Sequence, residues 1–314
     1  MKKQSMSLTW ITLATLLAPI SWGSTYVTIT ELLPAGRPLL VATTRVVPAG
    51  LALLLIGRVV SSWQPHGVEW RYLGMVSLFN FGIFFPLLVV GVYRLPGGVA
   101  AATGGLQPLL VMLITWRLNG ERPRRVDILV GIAAAAGVAL IVVRPDAGID
   151  PVGVVAAVLA NVSFAIGVVL TKRYPTPHNR LTATGWQLLM SGVILVPLTL
   201  TVEGIPAAVT AINLGGFAYL SLIGTALAFV LWFSGIRRLP VAAPPLLGLA
   251  APITGAVLGW VVLGESLSAL QLFGFAITIG AISYGATLRS VPAASADPIP
   301  LPVESPDDCR PQAA

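Results

Sequence analysis

Charge is what this chain lacks most. Only 10% of its residues are Asp, Glu, Lys or Arg, against roughly 25% in an ordinary soluble domain. With 56% hydrophobic residues there is too little charge to cover a water-facing surface, which excludes a soluble globular fold. Cysteine is almost missing as well. The single one, Cys309, rules out a disulfide framework and a thiolate metal site, and its place in the tail makes it a bystander. The two histidines, His66 and His178, fall in expected loops, so nothing supports a histidine proton relay inside the spans. The sequence contains no Walker motif, no nucleophile–base–acid set and no His/Asp cluster with metal spacing. ATP-driven transport by this chain alone, hydrolytic catalysis and metal catalysis are all unsupported, and no cofactor or metal is expected.

What is present is a near-continuous series of apolar runs of about 20 residues, the length that crosses about 30 Å of hydrocarbon. Spans are expected at about 8–29, 38–60, 70–93, 96–118 and 126–143, then 151–172, 181–202, 212–235, 240–262 and 268–288. The expected fold is therefore an all-α membrane protein of about ten transmembrane helices with very short connections. The start, Met1-Lys2-Lys3 before an apolar run, superficially resembles a signal peptide. The run from Leu8 to Ile29 is long enough to span, holds Pro19 and Trp22, and lacks a clear small-residue cleavage site, so it is expected to stay as the first span. Beyond Arg289 the segment to Ala314 turns rich in Pro, Ala, Ser and Asp and is expected to be a disordered cytoplasmic tail.

The formal charge of +7 reads as topology rather than as nucleic-acid binding. One set of loops collects Lys2, Lys3, Arg58, Arg71, Arg117, Arg122, Arg124, Arg125, Lys172, Arg173, Arg180, Arg237, Arg238 and Arg289. The opposite set holds Arg37, Arg94 and Arg144 beside Glu31, Asp146, Asp150, Glu203 and Glu265. The positive-inside rule puts the first set, and both termini, in the cytoplasm.

The chain also repeats itself. Gly91, Arg94, Leu95, Pro96, Gly104, Pro108, Trp116, Gly120 and Glu121 recur without a gap as Gly235, Arg238, Leu239, Pro240, Gly248, Pro252, Trp260, Gly264 and Glu265. Upstream, Ser77, Leu78 and Phe85 match Ser221, Leu222 and Phe229. With five spans per half the second half enters the membrane from the opposite side. Two inverted repeats, 8–143 and 151–288, are expected, an architecture that recurs in secondary transporters with the substrate site at the repeat interface.

Polar side chains at membrane depth must face a partner helix or a cavity. The first span carries Trp22, Thr25 and Tyr26 on one face, readable as packing with an interfacial aromatic or as a substrate-facing stripe. Arg45 in the second span either snorkels outward or pairs with a carboxylate, a helix C-terminus or an anionic substrate group. Gln187 holds the equivalent place in the seventh span, with Gly192 matching Gly50, which tilts Arg45 toward a cavity. Asn80 and Phe84 lie one turn apart in the third span, and Ser221, Thr225 and Trp232 follow one face of the eighth. Thr103 and Gln107 precede Pro108, and Thr254 follows Pro252. A proline removes a backbone donor and frees carbonyls in the preceding turn, so matched breaks at Pro108 and Pro252 point to a site. Asn161 and Ser163 complete the polar inventory without sharing a face. No Asp or Glu sits centrally in any span, so no coupling group for protons or sodium is evident.

These residues carry a resemblance. Trp22-Gly23-Ser24, Arg45, and the twin segments ending in Gly120-Glu121-Arg122 and Gly264-Glu265 resemble the EamA-type carriers of the drug/metabolite transporter superfamily over about 8–288. The resemblance implies a bacterial cytoplasmic-membrane exporter of amino acids, related metabolites or toxic compounds. It also implies a central cavity lined mainly by spans one, three, four, six, eight and nine. That places Trp22, Tyr26, Asn80, Phe84, Thr103, Gln107, Thr225 and Trp232 on candidate cavity helices. The halves are not equivalent: the sixth span lacks a Trp-Gly-Ser match, and Ser266 follows Glu265 where Arg122 follows Glu121. The expected partners are a small-molecule substrate and the lipid bilayer, with a homodimer as a candidate assembly and no nucleic acid. Two other classes, a membrane-embedded enzyme on a lipid-linked substrate and a non-transporting sensor, lack respectively a convergent acid/base set and a soluble signalling domain.

Overall fold

The computed structural model describes residues 8–60, 64–120, 122–142, 150–174, 180–236, 239, 247–248 and 250–288. The expected tail, His178, Arg144, Glu121, Arg238 and Pro240 lie outside the described residues. Among the described residues the architecture is all-helical, with no strand. The helices are α1 (Leu8–Leu32), α2 (Pro38–Val60), α3 (Glu69–Arg94), α4 (97–119), α5 (Arg125–Val142), α6 (Pro151–Arg173), α7 (Arg180–Val202), α8 (211–236), α9 (Ala250–Leu263) and α10 (Ala269–Leu288). Three of them are interrupted. α3 widens to a π-helix at Leu78–Ile83, α4 tightens to a 3-10 turn at Thr103–Leu106, and α8 widens to a π-helix at Tyr219–Leu227.

Pro38–Val59, Glu69–Arg94, Val99–Leu118, Pro151–Thr171, Leu181–Val202 and Ala211–Trp232 are long and apolar enough to cross a membrane. Ala250–Leu263 and Ala269–Tyr284 are shorter apolar helices. α1 and α5 are helical where spans were expected but fall outside that group. α5 opens on Arg125 and Asp127. In α1 the residues Ser21, Ser24, Thr25 and Thr28 dilute the apolar run, and Ser21, Thr25 and Thr28 are buried, so its polarity faces protein. The surface is inside-out relative to a soluble protein. On α7, Ser191 is fully buried whereas Val193, two residues on, is 74% exposed; a bilayer is the solvent that suits such a face.

The packing of the halves is reciprocal. α2 lies along α7, and α5 along α10. α1 packs against α8 and α9, and correspondingly α6 packs against α3 and α4. At the α2–α7 contact a Cβ added at Gly50 would meet Leu189, and one added at Gly192 would meet Val47. Gly50 and Gly192 are repeat equivalents, as are Val47 and Leu189, so each half supplies one knob and one glycine hole. The α5–α10 contact uses the same device. Gly137 and Gly274 let the backbones approach closely, and Thr278 Oγ1 donates within its own helix to the Gly274 carbonyl (2.9 Å). Gln271 Nε2 donates across to the carbonyl of Ile141 (3.0 Å). Small residues at such contacts replace the hydrophobic drive that lipid does not supply.

One end of the bundle gathers the loop residues expected on a common side. Arg94 pairs with Asp150 at 2.6 Å. The Glu203 carboxylate accepts from the N–H groups of Leu39 and Leu40 (2.7 and 2.8 Å), capping α2, while Arg37 donates to the Glu203 carbonyl (2.9 Å). Glu265 accepts from Gly97 N–H at the start of α4 (2.7 Å). A carboxylate at a helix N-terminus satisfies orphan donors and complements the dipole. Glu265 therefore acts as a helix-end anchor.

Candidate functional site

Three constellations at the junction of the halves are built from the polar and aromatic residues of the spans. The first surrounds Arg45. It is 2% exposed, so it does not snorkel to an interface. Its Nε donates to Thr225 Oγ1 (2.7 Å) and Nη2 to the carbonyl of Gly224 (3.0 Å). Its guanidinium carbon lies 4.3 Å from the ring centre of Phe85. The π-helix makes this possible: a widened turn leaves carbonyls without their usual intrahelical partner, and Thr225 Oγ1 reaches back to the Leu220 carbonyl (2.8 Å). The π-helix of α3 presents a carbonyl likewise, with Ser163 Oγ donating to Phe79 (2.7 Å). Ser77 stands just before the first π segment and its repeat match Ser221 inside the second, with Phe85 and Phe229 just beyond them, so the same backbone device is used twice. Tyr26 and Tyr219 lie within electrostatic range of Arg45, and the Tyr219 hydroxyl shares a 2.6 Å hydrogen bond with Ser24.

The second constellation joins α4 to α6. Gln107 Nε2 donates to both the carbonyl and Oδ1 of Asn161 (3.0 and 2.9 Å). Asn161 Nδ2 donates to Thr103 Oγ1 (3.0 Å) and to the Ala157 carbonyl (2.8 Å), and Thr103 Oγ1 donates to Ala100 (2.7 Å). Pro108, at the start of the helical segment Gln107–Asn119, cannot donate to the turn before it. That turn closes instead in 3-10 fashion, with Gln107 N–H on the Gly104 carbonyl. The proline thus sets the register that brings Thr103 and Gln107 to one amide.

The third is aromatic. Trp22 lies 5.3 Å from both Trp232 and Phe229. Phe229 meets Phe81 edge-on (5.1 Å), Phe81 meets Phe85 (5.8 Å), Phe85 meets Phe84 (5.2 Å) and Phe84 meets Phe164 (4.9 Å). Rings from α1, α3, α6 and α8 form one unbroken series across both halves, at spacings where aromatic pairs attract.

The remaining expected site residues are placed less centrally. Thr25 is buried, its hydroxyl turned to the Ser21 carbonyl of its own helix (3.5 Å). Asn80 donates to Thr171 (3.2 Å) and packs on Gly167. The backbone of Gln187, not its amide, receives the Ser77 hydroxyl, which also bonds Ser191 (2.7 Å). Pro252 is buried near the start of α9. Thr254 lies against Gly23, the close approach that the glycine of Trp22-Gly23-Ser24 allows. Asn161 reads from the sequence only as an isolated polar residue, since helix periodicity cannot see its partners Gln107 and Thr103 on another helix. Tyr219 and Phe81 carried no signal of their own. Among the described residues no group of three or more His, Cys, Asp or Glu could hold a metal ion.

Comparison with known proteins agrees with this architecture. The model of the EamA-like transporter family matches twice, at residues 8–143 and 151–284. Protein PecM of Dickeya dadantii is 39% identical over 267 residues, covering 84% of this chain and 88% of PecM. The uncharacterized inner membrane transporter YedA of Escherichia coli is 26% identical, covering 84% of this chain and 86% of YedA. A crystal structure of a protein 20% identical in sequence shares the fold with a TM-score of 0.66, over 90% of this chain and 98% of that one. The chain belongs to the EamA-like transporter family and is a multi-pass membrane transporter of small molecules.

Proposed function

We propose that the chain is a secondary carrier that exports small metabolites, amino acids or related compounds, across the bacterial cytoplasmic membrane by alternating access. In this reading ten spans form two inverted five-helix repeats, 8–143 and 151–288, with both termini in the cytoplasm. The observation that carries it is the reciprocity of the α2–α7 contact, where Gly50 takes Leu189 and Gly192 takes Val47. A knob-and-hole exchange between equivalent residues is what a two-fold axis between halves produces. Halves related by such an axis can rock about a site at their interface. The polar and aromatic constellations lie at that interface: Arg45 reaches from the first half to Thr225 of the second, and Gln107 to Asn161. One cation among aromatic and amide groups suits a small zwitterion or apolar metabolite better than a multiply charged phosphate ester.

The test is a panel of labelled amino acids and related metabolites in proteoliposomes, with and without an imposed pH gradient. Movement of one class down its gradient is the expected result, and the gradient arm separates facilitated from proton-linked transport. Folded protein that moves nothing across a broad panel would sink this reading.

A further inference from the structure

Arg45 leaves part of its hydrogen-bonding capacity unused. A guanidinium keeps its charge at physiological pH and presents five N–H donors in a rigid fork. Nε is taken by Thr225 and Nη2 by Gly224, while Phe85 covers one face. Nη1 is buried and has no hydrogen-bond partner. The partners that Arg45 has, a hydroxyl, a carbonyl and a ring, carry no formal negative charge, and no described carboxylate pairs with it. A buried charge without a counter-charge is strongly destabilising, and an orphaned buried donor adds to this.

Its neighbours on α1 and α8 are hydroxyls. Tyr219 is engaged with Ser24, whereas the half-buried Tyr26 makes no side-chain hydrogen bond to any described residue. Tyr26 packs against the buried cluster that includes Val41, one turn before Arg45 on α2, and Leu220, one turn before Gly224 on α8, so two unused donor groups, Nη1 and the Tyr26 hydroxyl, belong to residues of one packed region. What they lack is an anionic acceptor. The surroundings also limit its charge and its body. One guanidinium edge and one hydroxyl can satisfy a single carboxylate but not a doubly charged phosphate, which draws on more donors. The rings of Phe85, Phe81, Phe229 and Trp22 run on from this point and offer an apolar wall.

We propose that Arg45 Nη1 and the Tyr26 hydroxyl form a monoanion subsite between α1, α2 and α8 that holds the carboxylate of an apolar-bodied substrate. The assignment rests on the carrier reading above and adds the substrate's charged group to it. It also explains why α2 carries an arginine where the equivalent position of α7 carries Gln187: one of the two related positions binds charge and the other does not.

The full-length protein in detergent, at constant ionic strength, is titrated with phenylacetate, with its neutral counterpart phenylacetamide, and with chloride, followed by tryptophan fluorescence and melting temperature. Wild type should bind phenylacetate about tenfold or more tightly than phenylacetamide, the loss expected when a charge-assisted hydrogen bond goes unmade. Arg45→Gln should abolish that preference, Arg45→Lys should keep part of it, and Tyr26→Phe should reduce it. Chloride that competes with phenylacetate fits the subsite. Chloride binding without phenylacetate binding would make it a structural halide site and overturn the carboxylate assignment. Failure of both organic probes to bind, or equal affinity for them in wild type, overturns it too. So does an unchanged preference in Arg45→Gln or, should that variant not fold, in both Arg45→Lys and Tyr26→Phe. Binding is read without transport, so the two readings fail separately. Intact discrimination with no flux of any compound counts against the carrier, and flux with no discrimination counts against the subsite.

Discussion

Gln107 on α4 holds Asn161 on α6 by both its carbonyl and its side-chain oxygen, at 3.0 and 2.9 Å. Since Asn161 also donates to Thr103, a single amide from the second half bonds the side chains at both ends of the 3-10 turn that precedes Pro108. The interface between the halves is thereby tied at a place where the α4 helix itself is irregular.

Replacing Asn161 by Ala should cost about 1–3 kcal/mol, the penalty for leaving buried polar partners unpaired. That exceeds the ~0.6 kcal/mol typical of one interhelical hydrogen bond in a membrane, because Thr103 loses its donor and Gln107 its side-chain acceptor together, with only the backbone carbonyl of residue 161 left to Gln107. Denaturant or thermal unfolding in detergent measures it. A Gln107→Ala variant should cost less, since Asn161 keeps its bonds to Thr103 and Ala157. Equal losses for the two variants would show that Asn161 is not the hub.

Gly167 on α6 has no room for a side chain, because an added Cβ collides with the amide of Asn80. Gly167→Ala should destabilise by about 1–3 kcal/mol through overpacking. Adding Asn80→Ala should recover part of that loss, with the Asn80 backbone still near the site at 2.9 Å. A double-mutant cycle in thermal unfolding reads the coupling; strictly additive losses would place the two residues apart.

The reciprocal α2–α7 contact predicts matched effects. Gly50→Ala meets Leu189 and Gly192→Ala meets Val47, at 2.9 and 2.7 Å from the new Cβ. Both should lower stability, again by about 1–3 kcal/mol, and by similar amounts. A large loss for one and none for the other would contradict the reciprocity of that contact.

Asp150 caps α6 through the N–H groups of Val152 and Gly153. Its carboxyl is held below its ordinary value, first by the hydrogen bond from Arg94 and then by those backbone donors. A carboxylate lowered in the folded state contributes stability that is present above the ordinary carboxylate range and is lost as pH falls through the lowered value. Asp150→Asn keeps a capping oxygen but cannot ionise. Its melting temperature should trail wild type at neutral pH, and the gap should close on acidification. A gap that stays constant or widens at low pH would contradict the pairing.

Much of the fold was legible in the residues themselves. Low charge and runs of bilayer length force backbone groups to bond within helices, so the helices, their near-continuous order and the duplication could be read directly. The loop charges put Arg94, Asp150 and Glu203 in one expected set; in the structure Arg94 pairs with Asp150 and Glu203 caps α2. Thr103, Gln107, Thr225 and Arg45 were visible because a polar group at membrane depth must face protein. Their partners were not. Periodicity reports which residues share a helix face, whereas Gln107 with Asn161 and Arg45 with Thr225 meet across helices distant in sequence. The π-helices at Leu78–Ile83 and Tyr219–Leu227 were equally hidden, since no proline or glycine rule marks an extra residue in a turn. Sequence alone determined that Arg45 lies in a span. Only the packing of α2 on α8 decided that it is buried, bonded to a π-helical carbonyl and left with Nη1 unpaired, because that outcome depends on which helix happens to stand beside it.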